Sequence, residues 1–360
     1  MSITDEYNFL EKIGTGTFSL VFKAENIKTK KVVAIKKIKI RQNNERQKVE
    51  ITIMKSCVHP HIIKYYNFYS DDRYYYIVME YINNGDLFEY ITLNGGSIDE
   101  KTAALISGQV ISALEYCHAN LIAHRDLKLE NIVIYNQNPL QIKLIDFGLA
   151  NFIKTDKKHN SFVGSAYYAP PEIMKNIDYN PMLVDIWSLG ICIFAMVAGV
   201  FPFQNYTINF DFNEWKQFKE RLSDTLYDLL TKIFVLEYKR INILQLKEHP
   251  WLNGYTISSY LPETKHITEI NCLIIEIMAN LGLQEEKIFI DLYKNNKTMN
   301  TYLYHTLLNK YENALKENKE FLKSRKFKLT ELGRIVTSSP ELVSDRGTVS
   351  LDKIIKFIDC

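Results

Sequence analysis

The stretch HRDLKLEN, residues 124–131, constrains this chain more than any other feature. Asp126 can orient an attacking hydroxyl and accept its proton, and Lys128 can neutralise charge on a transferred phosphoryl group. Asn131, five residues after Asp126, can hold a metal ion. This combination predicts a loop that positions a hydroxyl, a phosphoryl group and a cation at one place.

A second stretch, LIDFG at 144–148, supplies the other half of such a site. It places Asp146 directly after an apolar strand pattern, where the carboxylate can bridge Mg²⁺ to phosphates. Phosphoryl transfer needs positioned oxygens, metal and cations more than covalent chemistry. The two stretches together therefore predict a phosphotransfer site.

A glycine-rich loop, GTGTFSLV at 14–21, lies between two predicted strands. Gly14 and Gly16 would let backbone N–H groups close over phosphates without a Cβ clash. Because a strand follows the loop instead of a helix, a dinucleotide-binding fold is disfavoured.

The stretch VAIK at 33–36 puts Lys36 in an apolar strand, where burial is costly unless the ammonium is paired. Glu50, fourteen residues later in a helical pattern, is the predicted partner. Such an ion pair would hold the Lys36 ammonium toward the α- and β-phosphates of a nucleotide. On this motif alone, a solvated surface lysine is an equal alternative.

The pattern along the chain predicts an α+β organisation. Residues 7–81 read mostly as strands with one helical segment, and from 82 onward the pattern turns helical. After HPWL at 249–252, residues 253–267 read as a linker. Three short helices then occupy 268–315, and a tail covers 316–360.

Composition excludes some function classes. The net charge is only +2, which argues against general nucleic-acid binding. Five widely spaced cysteines read as reduced thiols, and the polar start shows no secretory signal, so we expect a cytoplasmic protein, with the nucleus as an open second location. The apolar run at 186–201 is shorter than a bilayer span needs, and Asp185 precedes it. We therefore expect a buried helix and no membrane span.

Taken in order, the glycine-rich loop, the strand lysine, HRD…N, DFG and PPE at 170–172 resemble a eukaryotic protein kinase. The resemblance covers about residues 7–252. It implies the bilobal kinase fold, with a β-rich N-lobe at 7–81 and a helical C-lobe at 82–252. It also implies ATP and Mg²⁺ as cofactors and protein substrates as partners.

The resemblance also implies roles for individual residues. Asp126, Lys128, Lys36 and Glu50 are the expected catalytic residues, and Asn131 and Asp146 the expected metal ligands. The hinge, MEY at 79–81, would bind adenine through its backbone, and Asp86 would meet the ribose or a basic substrate residue. The expected ATP contacts are Gly14, Thr15, Gly16, Thr17, Phe18, Val21, Ala34, Lys36, Glu80, Tyr81 and Asp86.

Other matching residues are structural in the family. Glu172 would pair with Arg240, and Asp185 would brace the catalytic loop from below. The chain departs from the family pattern at the third loop glycine, which is Ser19, and at PPE in place of the commoner APE. It is also a few residues short between FPFQ and LSDTLYDLL, where a substrate-docking helix is expected.

Several stretches indicate the branch. A lysine two residues after Asp126, here Lys128, resembles the catalytic-loop pattern of serine/threonine kinases. The stretches HPHIIKYY, GDLFEYI and HPWL resemble those of the AMP-activated and microtubule-affinity-regulating (MARK) branch of the calmodulin-dependent kinase group. Glu130 and Asp86 could attract an Arg or Lys a few residues before the target Ser or Thr. The alternative is that Glu130 belongs only to the loop scaffold.

The three C-terminal helices are similar to the ubiquitin-associated (UBA)-like domain that follows the kinase domain in that branch, and ANLGL at 279–283 carries this likeness. We expect these helices to dock on the kinase and tune it, with a weak ubiquitin contact as the lesser option. Regulation by AMP-sensing subunits is not supported by the short tail.

The segment HNSFVGSAYYAPPE, residues 159–172, predicts a switch. Ser161 falls where this branch carries its activating Thr, so a phosphate added by an upstream kinase, or in trans, could pair with Arg125 and order the loop. Ser165 falls on the residue that contacts Asp126 and helps select a hydroxyl substrate. The alternative to the Ser161 switch is a constitutively active loop. The alternative for Ser165 is a loop serine with no such role.

Two functions of other classes compete with an active kinase. One is a catalytically dead scaffold that binds ATP and partners, which the presence of Lys36, Glu50, Asp126, Asn131 and Asp146 disfavours. The other is a ubiquitin-binding adaptor acting through the C-terminal helices.

Overall fold

The computed structural model describes residues 2–16, 19–41, 45–153, 164–203, 211–255, 258–260, 269–280, 283–317 and 348–350. The chain divides into two compact units. The first comprises Met1–Cys117, Ile122–Ile153 and Lys158–Ser258, and the second comprises His118–Leu121, Lys154–Lys157 and Ser259–Cys360.

The first unit begins with strands and continues with a mixture dominated by helices. Its strands are β1 (Tyr7–Thr15), β2 (Ser19–Asn26), β3 (Val32–Lys39), β4 (Tyr65–Ser70), β5 (Tyr74–Glu80), β6 (Ile122–Ala123), β7 (Ile132–Gln137), β8 (Leu140–Leu144) and β9 (Asn151–Phe152). Its α-helices are α1 (Glu45–Ser56), α2 (Leu87–Leu93), α3 (Glu100–Ala119), α4 (Pro171–Met174), α5 (Pro181–Ala198), α6 (Asp224–Ile233) and α7 (Ile243–Lys247).

Strands β1–β5 form an antiparallel sheet of order β1-β2-β3-β5-β4. Strand β3 lies at the centre of this sheet, and its side chains alternate between the two buried faces of the sheet. Val33 and Ile35 belong to the apolar cluster on one face, whereas Ile38 packs with Ile51 of α1 on the other. Because side chains alternate along a strand, Lys36 shares the α1 face with Ile38.

Within the first unit, strands β1–β5 and helix α1 form the smaller lobe, and the elements from α2 to α7 form the larger lobe. Helix α5 is the most buried helix of the larger lobe. Asn180 caps it by accepting a hydrogen bond from Met182 N at 3.0 Å, and Pro181 occupies its first turn. Among the described residues, α5 is the one helix long and apolar enough to cross a membrane, and 89% of it is buried inside the protein. It is therefore a core helix and gives no indication of a membrane span.

The larger lobe also contains an antiparallel hairpin. Its second strand, β8, is the apolar strand predicted before Asp146, whereas the helical pattern after residue 82 did not predict the first strand. Strands β7 and β8 pair from Ile132↔Leu144 to Gln137↔Leu140. Ile134, Ile142 and Leu144 are fully buried within it. The hairpin is short and its turn is rich in Asn and Gln. Its first strand therefore shows no extended alternation of apolar and polar residues that would predict it. Its position matters because it ends two residues before Asp146.

A buried ion pair joins two parts of the larger lobe. Arg240 Nη1 and Nη2 donate to the two carboxylate oxygens of Glu172 at 2.6 and 3.1 Å. Arg240 also donates to the carbonyl oxygens of Leu183 and Val235, at 3.0 and 3.1 Å. The guanidinium is thus satisfied on several sides, as a buried charge requires.

The second unit contains the three helices expected between 268 and 315. These are α8 (Cys272–Asn280), α9 (Glu285–Tyr293) and α10 (Met299–Glu317), and a two-stranded pairing joins β10 (Glu269–Asn271) to β11 (Thr348–Ser350). Buried apolar side chains from all three helices form its core, among them Ile275, Leu292 and Leu303. Whether this arrangement is UBA-like stays a prediction.

One buried histidine gives the first unit a predicted acid sensitivity. His61 N donates to His59 Nδ1 at 3.1 Å, and His59 Nε2 lies 3.2 Å from Ser112 Oγ. Protonation of His59 would place a proton on Nδ1, which could then no longer accept the hydrogen bond from His61 N. Burial first, and then the charges of His61 and Lys143, lowers the pKa of His59 to about 3.

We expect the melting temperature to fall as the pH is lowered from 7 to 5. The unfolded chain takes up a proton at His59 near pH 6.5 and the folded chain does not, which costs about 2 kcal/mol at pH 5. His59→Gln should flatten this dependence, leaving a residual slope because burial also lowers the pKa of His61 and of His249. Melting curves at several pH values test this; equal slopes in both proteins would contradict it.

Candidate active site

The glycine-rich loop is closed by a backbone hydrogen bond. Gly16 N donates to Ser19 O at 2.8 Å across the tip of the loop. A Cβ at position 16 would lie 2.7 Å from Ser19 Oγ, so the serine at the third loop position packs closely against Gly16 and would have to move if residue 16 carried a side chain. Thr17 and Phe18, the expected contacts at the tip, lie outside the described residues.

Beneath this loop lies a cleft of about 470 Å³, within the usual range for a small-molecule site. Its lining includes every expected ATP contact that the structure describes: Gly14, Thr15, Gly16, Val21, Ala34, Lys36, Glu80, Tyr81 and Asp86. Sequence reasoning missed much of the apolar wall, including Ile13, Met54, Ile63, Ile77 and Ile82. These residues carry no motif, and their patterns indicate only strands and a helix.

Lys36 lies between two carboxylates that also line the cleft. Its Nζ is 2.6 Å from Glu50 Oε1 and 2.8 Å from Asp146 Oδ1. Burial alone would lower the pKa of Lys36, but the charges of Glu50 and Asp146 outweigh it and raise that pKa. Burial alone would raise the pKa of Asp146, but the charge of Lys36 and its hydrogen bond outweigh burial and lower that pKa. Lys36 and Asp146 are therefore both charged at neutral pH.

Asp146 and Asn131 offer oxygen atoms suited to Mg²⁺. Asp146 Oδ1 accepts from Lys36 and from Gly148 N at 3.2 Å, while the side chain remains 47% exposed. Asn131 Nδ2 donates to Asp126 O at 2.8 Å, which leaves the amide oxygen as its acceptor atom. Both residues line the cleft, so the donor set fits this ion.

Asp126 is held by the segment that follows the predicted switch. Ser165 donates to Asp126 Oδ1 from its backbone N at 3.1 Å and from its Oγ at 3.0 Å. Lys128 Nζ lies 3.2 Å from Ser165 Oγ and 3.4 Å from Asp126 Oδ2. The approach is close because Gly164 adopts φ +96° and a Cβ there would lie 2.7 Å from Arg125 O. The structure thus brings Asp126, Lys128 and Ser165 together.

The catalytic loop is fixed from below by Asp185, which is fully buried in α5. Asp185 Oδ2 accepts from His124 N at 2.9 Å, and Oδ1 accepts from Arg125 N at 2.8 Å. Arg125 has φ +64° and Asp146 has φ +59°, in the left-handed region that costs a non-glycine residue energy. Asp146 belongs to the site and Arg125 directly precedes Asp126, and surrounding contacts hold both strained residues in place.

Glu130 and Asp86 both line the cleft. Tyr168 OH donates to Glu130 Oε2 at 3.3 Å, a contact that the sequence did not predict. Asp86 Oδ1 caps α2 by accepting from Glu89 N at 2.9 Å, so one oxygen already has a structural role. Ser161, the expected phosphate acceptor, lies outside the described residues.

Comparison with known proteins gives a consistent result. The protein kinase domain family model matches residues 7–252. A probable serine/threonine-protein kinase MARK-C of Dictyostelium discoideum is 37% identical over 340 residues, covering 89% of this chain and 44% of the relative. The catalytic subunit alpha KIN12 of an SNF1-related protein kinase from Arabidopsis thaliana is 33% identical over 330 residues, covering 88% and 66%.

A third relative, a probable serine/threonine-protein kinase KIN1 homolog of Enterocytozoon bieneusi, is 35% identical over 286 residues, covering 76% of this chain and 47% of the relative. The chain belongs to the protein kinase family. Its relatives confirm the predicted AMP-activated and MARK-related branch of the calmodulin-dependent kinase group. The chain spans roughly half the length of the curated relatives it matches.

Proposed function

We propose that the chain is a serine/threonine protein kinase that transfers the γ-phosphate of ATP to hydroxyl groups of protein substrates. One observation carries the proposal. A single cleft holds both the Lys36–Glu50–Asp146 arrangement and Asn131, which is hydrogen-bonded to Asp126. A phosphate-binding group, a metal-binding pair and a proton acceptor are therefore adjacent, as phosphoryl transfer requires. The names of the relatives support the same chemistry.

In this mechanism Lys36, oriented by Glu50, binds the α- and β-phosphates. Asp146 and Asn131 would hold Mg²⁺, which would supply positive charge to offset that of the phosphate oxygens. Asp126 orients the substrate hydroxyl and accepts its proton, while Lys128 stabilises negative charge on the moving phosphoryl group. The hydrogen bonds from Ser165 keep the Asp126 carboxylate aimed at the hydroxyl.

We propose a preference for basic residues before the target Ser or Thr. Glu130 is exposed, and Tyr168 fixes one of its carboxylate oxygens. Asp86 and the exposed Glu89 lie on or beside the first turn of α2. An Arg that reaches such a carboxylate gains a charge-assisted hydrogen bond.

A peptide array tests both the function and this preference. We expect the wild-type chain to phosphorylate Ser and Thr peptides from Mg-ATP and to favour those with an upstream Arg or Lys. Glu130→Gln should reduce this preference about tenfold, because it removes one charged partner. Peptides without basic residues serve as the internal control and should change little. An unchanged preference would contradict the role of Glu130.

We also propose that phosphorylation of Ser161 activates the kinase. Arg125 supports this, since its side chain is buried and its Nε has no hydrogen-bond partner among the described residues. Burial first, and also the positive charge of nearby Arg46, lowers the pKa of Arg125. Two neighbouring cations suit a dianionic phosphate, which can create charge-assisted hydrogen bonds to both.

Ser161→Ala is expected to lower turnover about tenfold or more when both proteins are purified from cells, since the loop loses the ordering phosphate. Phosphatase treatment should lower the activity of the wild type to that of the variant and leave Ser161→Ala unchanged. Turnover that is equal in the two untreated proteins would remove the switch.

For the second unit we propose a UBA-like domain that tunes the kinase. Its three helices with a shared apolar core support this role. An adaptor function through ubiquitin remains the lesser alternative.

A further inference from the structure

A buried ion pair lies behind the hinge at 79–81. Lys143 Nζ is 2.7 Å from Glu80 Oε1, and the two side chains are 9% and 10% exposed. Glu80 is the last residue of β5 in the smaller lobe, whereas Lys143 lies in β8 of the larger lobe. The pair therefore ties the two lobes together behind the cleft.

The same two side chains hold the backbone that leads into β4. Glu80 Oε1 accepts from Lys64 N at 2.6 Å, and Glu80 N donates to Lys64 O at 2.9 Å. Lys143 Nζ reaches the preceding residues by donating to Ile62 O at 3.4 Å. One carboxylate and one ammonium thus fix residues 62–64 between β5 and β8.

Backbone hydrogen bonds extend this connection toward the metal-binding loop. Ile63 N donates to Leu144 O, and Leu144 N donates to His61 O, each at 2.9 Å. Leu144 ends β8 two residues before Asp146. Because Glu80 itself lines the cleft, a continuous set of contacts links the hinge to Asp146.

Stability alone does not explain charges at this place, because desolvating a buried pair costs about as much as its attraction returns. A fixed distance between two parts of a substrate site does explain it, since small misplacements weaken binding and reaction. Under the proposed function, the hinge backbone and the Asp146 loop meet opposite ends of the nucleotide.

We infer that Lys143 is a positioning residue for the nucleotide: through Glu80 it holds the hinge backbone at a fixed distance from the Asp146 loop. The inference rests on the proposed function and deepens it. Lys143 itself is absent from the cleft lining, so it acts on the nucleotide only through its neighbours.

The test is Lys143→Met, with KM for ATP, kcat, and the Kd of a non-hydrolysable ATP analogue measured by calorimetry. We expect KM and Kd to rise about tenfold, because the two ends of the nucleotide site lose their fixed spacing. We expect kcat at saturating ATP to change far less, since the contacts around Asp126 are not made by Lys143. Lys143→Arg keeps the charge and should recover most of the affinity.

Two further variants separate positioning from simple loss of stability. Lys247→Met breaks another ion pair, in which Lys247 Nζ lies 3.0 Å from both carboxylate oxygens of buried Glu115, and neither residue lines the cleft. It should lower the melting temperature and leave the Kd unchanged. The double variant Lys143→Met/Glu80→Gln removes the unpaired buried charge, so it should regain melting temperature without regaining affinity.

A wild-type Kd in Lys143→Met would overturn the inference, as would recovery of both stability and affinity in the double variant. Should the single variant fail to fold, the double variant carries the comparison. A wild-type chain that binds no nucleotide would overturn the inference together with the proposed function. If wild type and Lys143→Met bound the ATP analogue equally well and the wild type transferred phosphate, the inference alone would be overturned.

Discussion

Asp126→Asn is expected to lower kcat about 10³-fold while ATP affinity stays within about twofold. The amide cannot accept the substrate proton, yet it occupies nearly the same volume. Its carbonyl oxygen can still accept from Ser165, whereas its NH2 group cannot accept from Asn131 Nδ2. The Asp126 carboxylate makes hydrogen bonds to both residues, at 3.0 Å from Ser165 Oγ and 3.2 Å from Asn131 Nδ2. The variant therefore removes the proton acceptor and the longer of these two contacts, while the contact with Ser165 still holds the loop.

Steady-state phosphate transfer, with nucleotide binding measured in parallel, checks this result. Asp224→Asn is a matched control, because Asp224 is an exposed residue in the first turn of α6 and lies outside the cleft lining. It should transfer phosphate at the wild-type rate. If Asp126→Asn retained more than about a tenth of wild-type kcat, Asp126 would not be the proton acceptor.

Arg240→Met is expected to lower the free energy of unfolding of the kinase unit by about 3–5 kcal/mol. The Arg240 side chain is fully buried, and its guanidinium lies 4.8 Å from the Trp187 ring. Methionine fills most of the volume but leaves the buried Glu172 carboxylate without its partner. Glu237 adds to the cost, since burial first and then the charge of Glu172 already raises the pKa of Glu237.

Urea denaturation of the wild type, of Arg240→Met and of Arg240→Met/Glu172→Met measures this effect. The double variant should recover much of the lost stability, because replacing a buried ion pair with apolar groups is often close to neutral. A single variant within about 1 kcal/mol of wild type would show that the pair contributes little. A double variant as unstable as the single one would point to lost packing instead of an unpaired charge.

The motif residues of the site could be predicted because phosphoryl transfer prescribes their chemistry and their order along the chain. Lys36 and Glu50 illustrate this, since a lysine in an apolar strand demands a partner and one acid at helical spacing supplies it. The three helices of the second unit also followed from apolar periodicity.

Contacts made by isolated charges in short strands could not be predicted. Lys143 interrupts the apolar pattern of β8, where a single lysine reads as solvent-exposed, yet it is buried against Glu80. The bond between Tyr168 and Glu130 joins residues 38 positions apart with no shared pattern. Such pairs depend on tertiary packing, within a lobe or between the lobes, which local periodicity does not encode.

The most direct test of the central claim uses two peptides that differ only in a Ser or a Tyr acceptor, incubated with the chain and Mg-ATP labelled in the γ-phosphate. Wild-type protein, assayed as purified and after treatment with an activating kinase, is predicted to label the Ser peptide and leave the Tyr peptide unlabelled. Bound nucleotide with no label on either peptide under both conditions would contradict the account and indicate a scaffold.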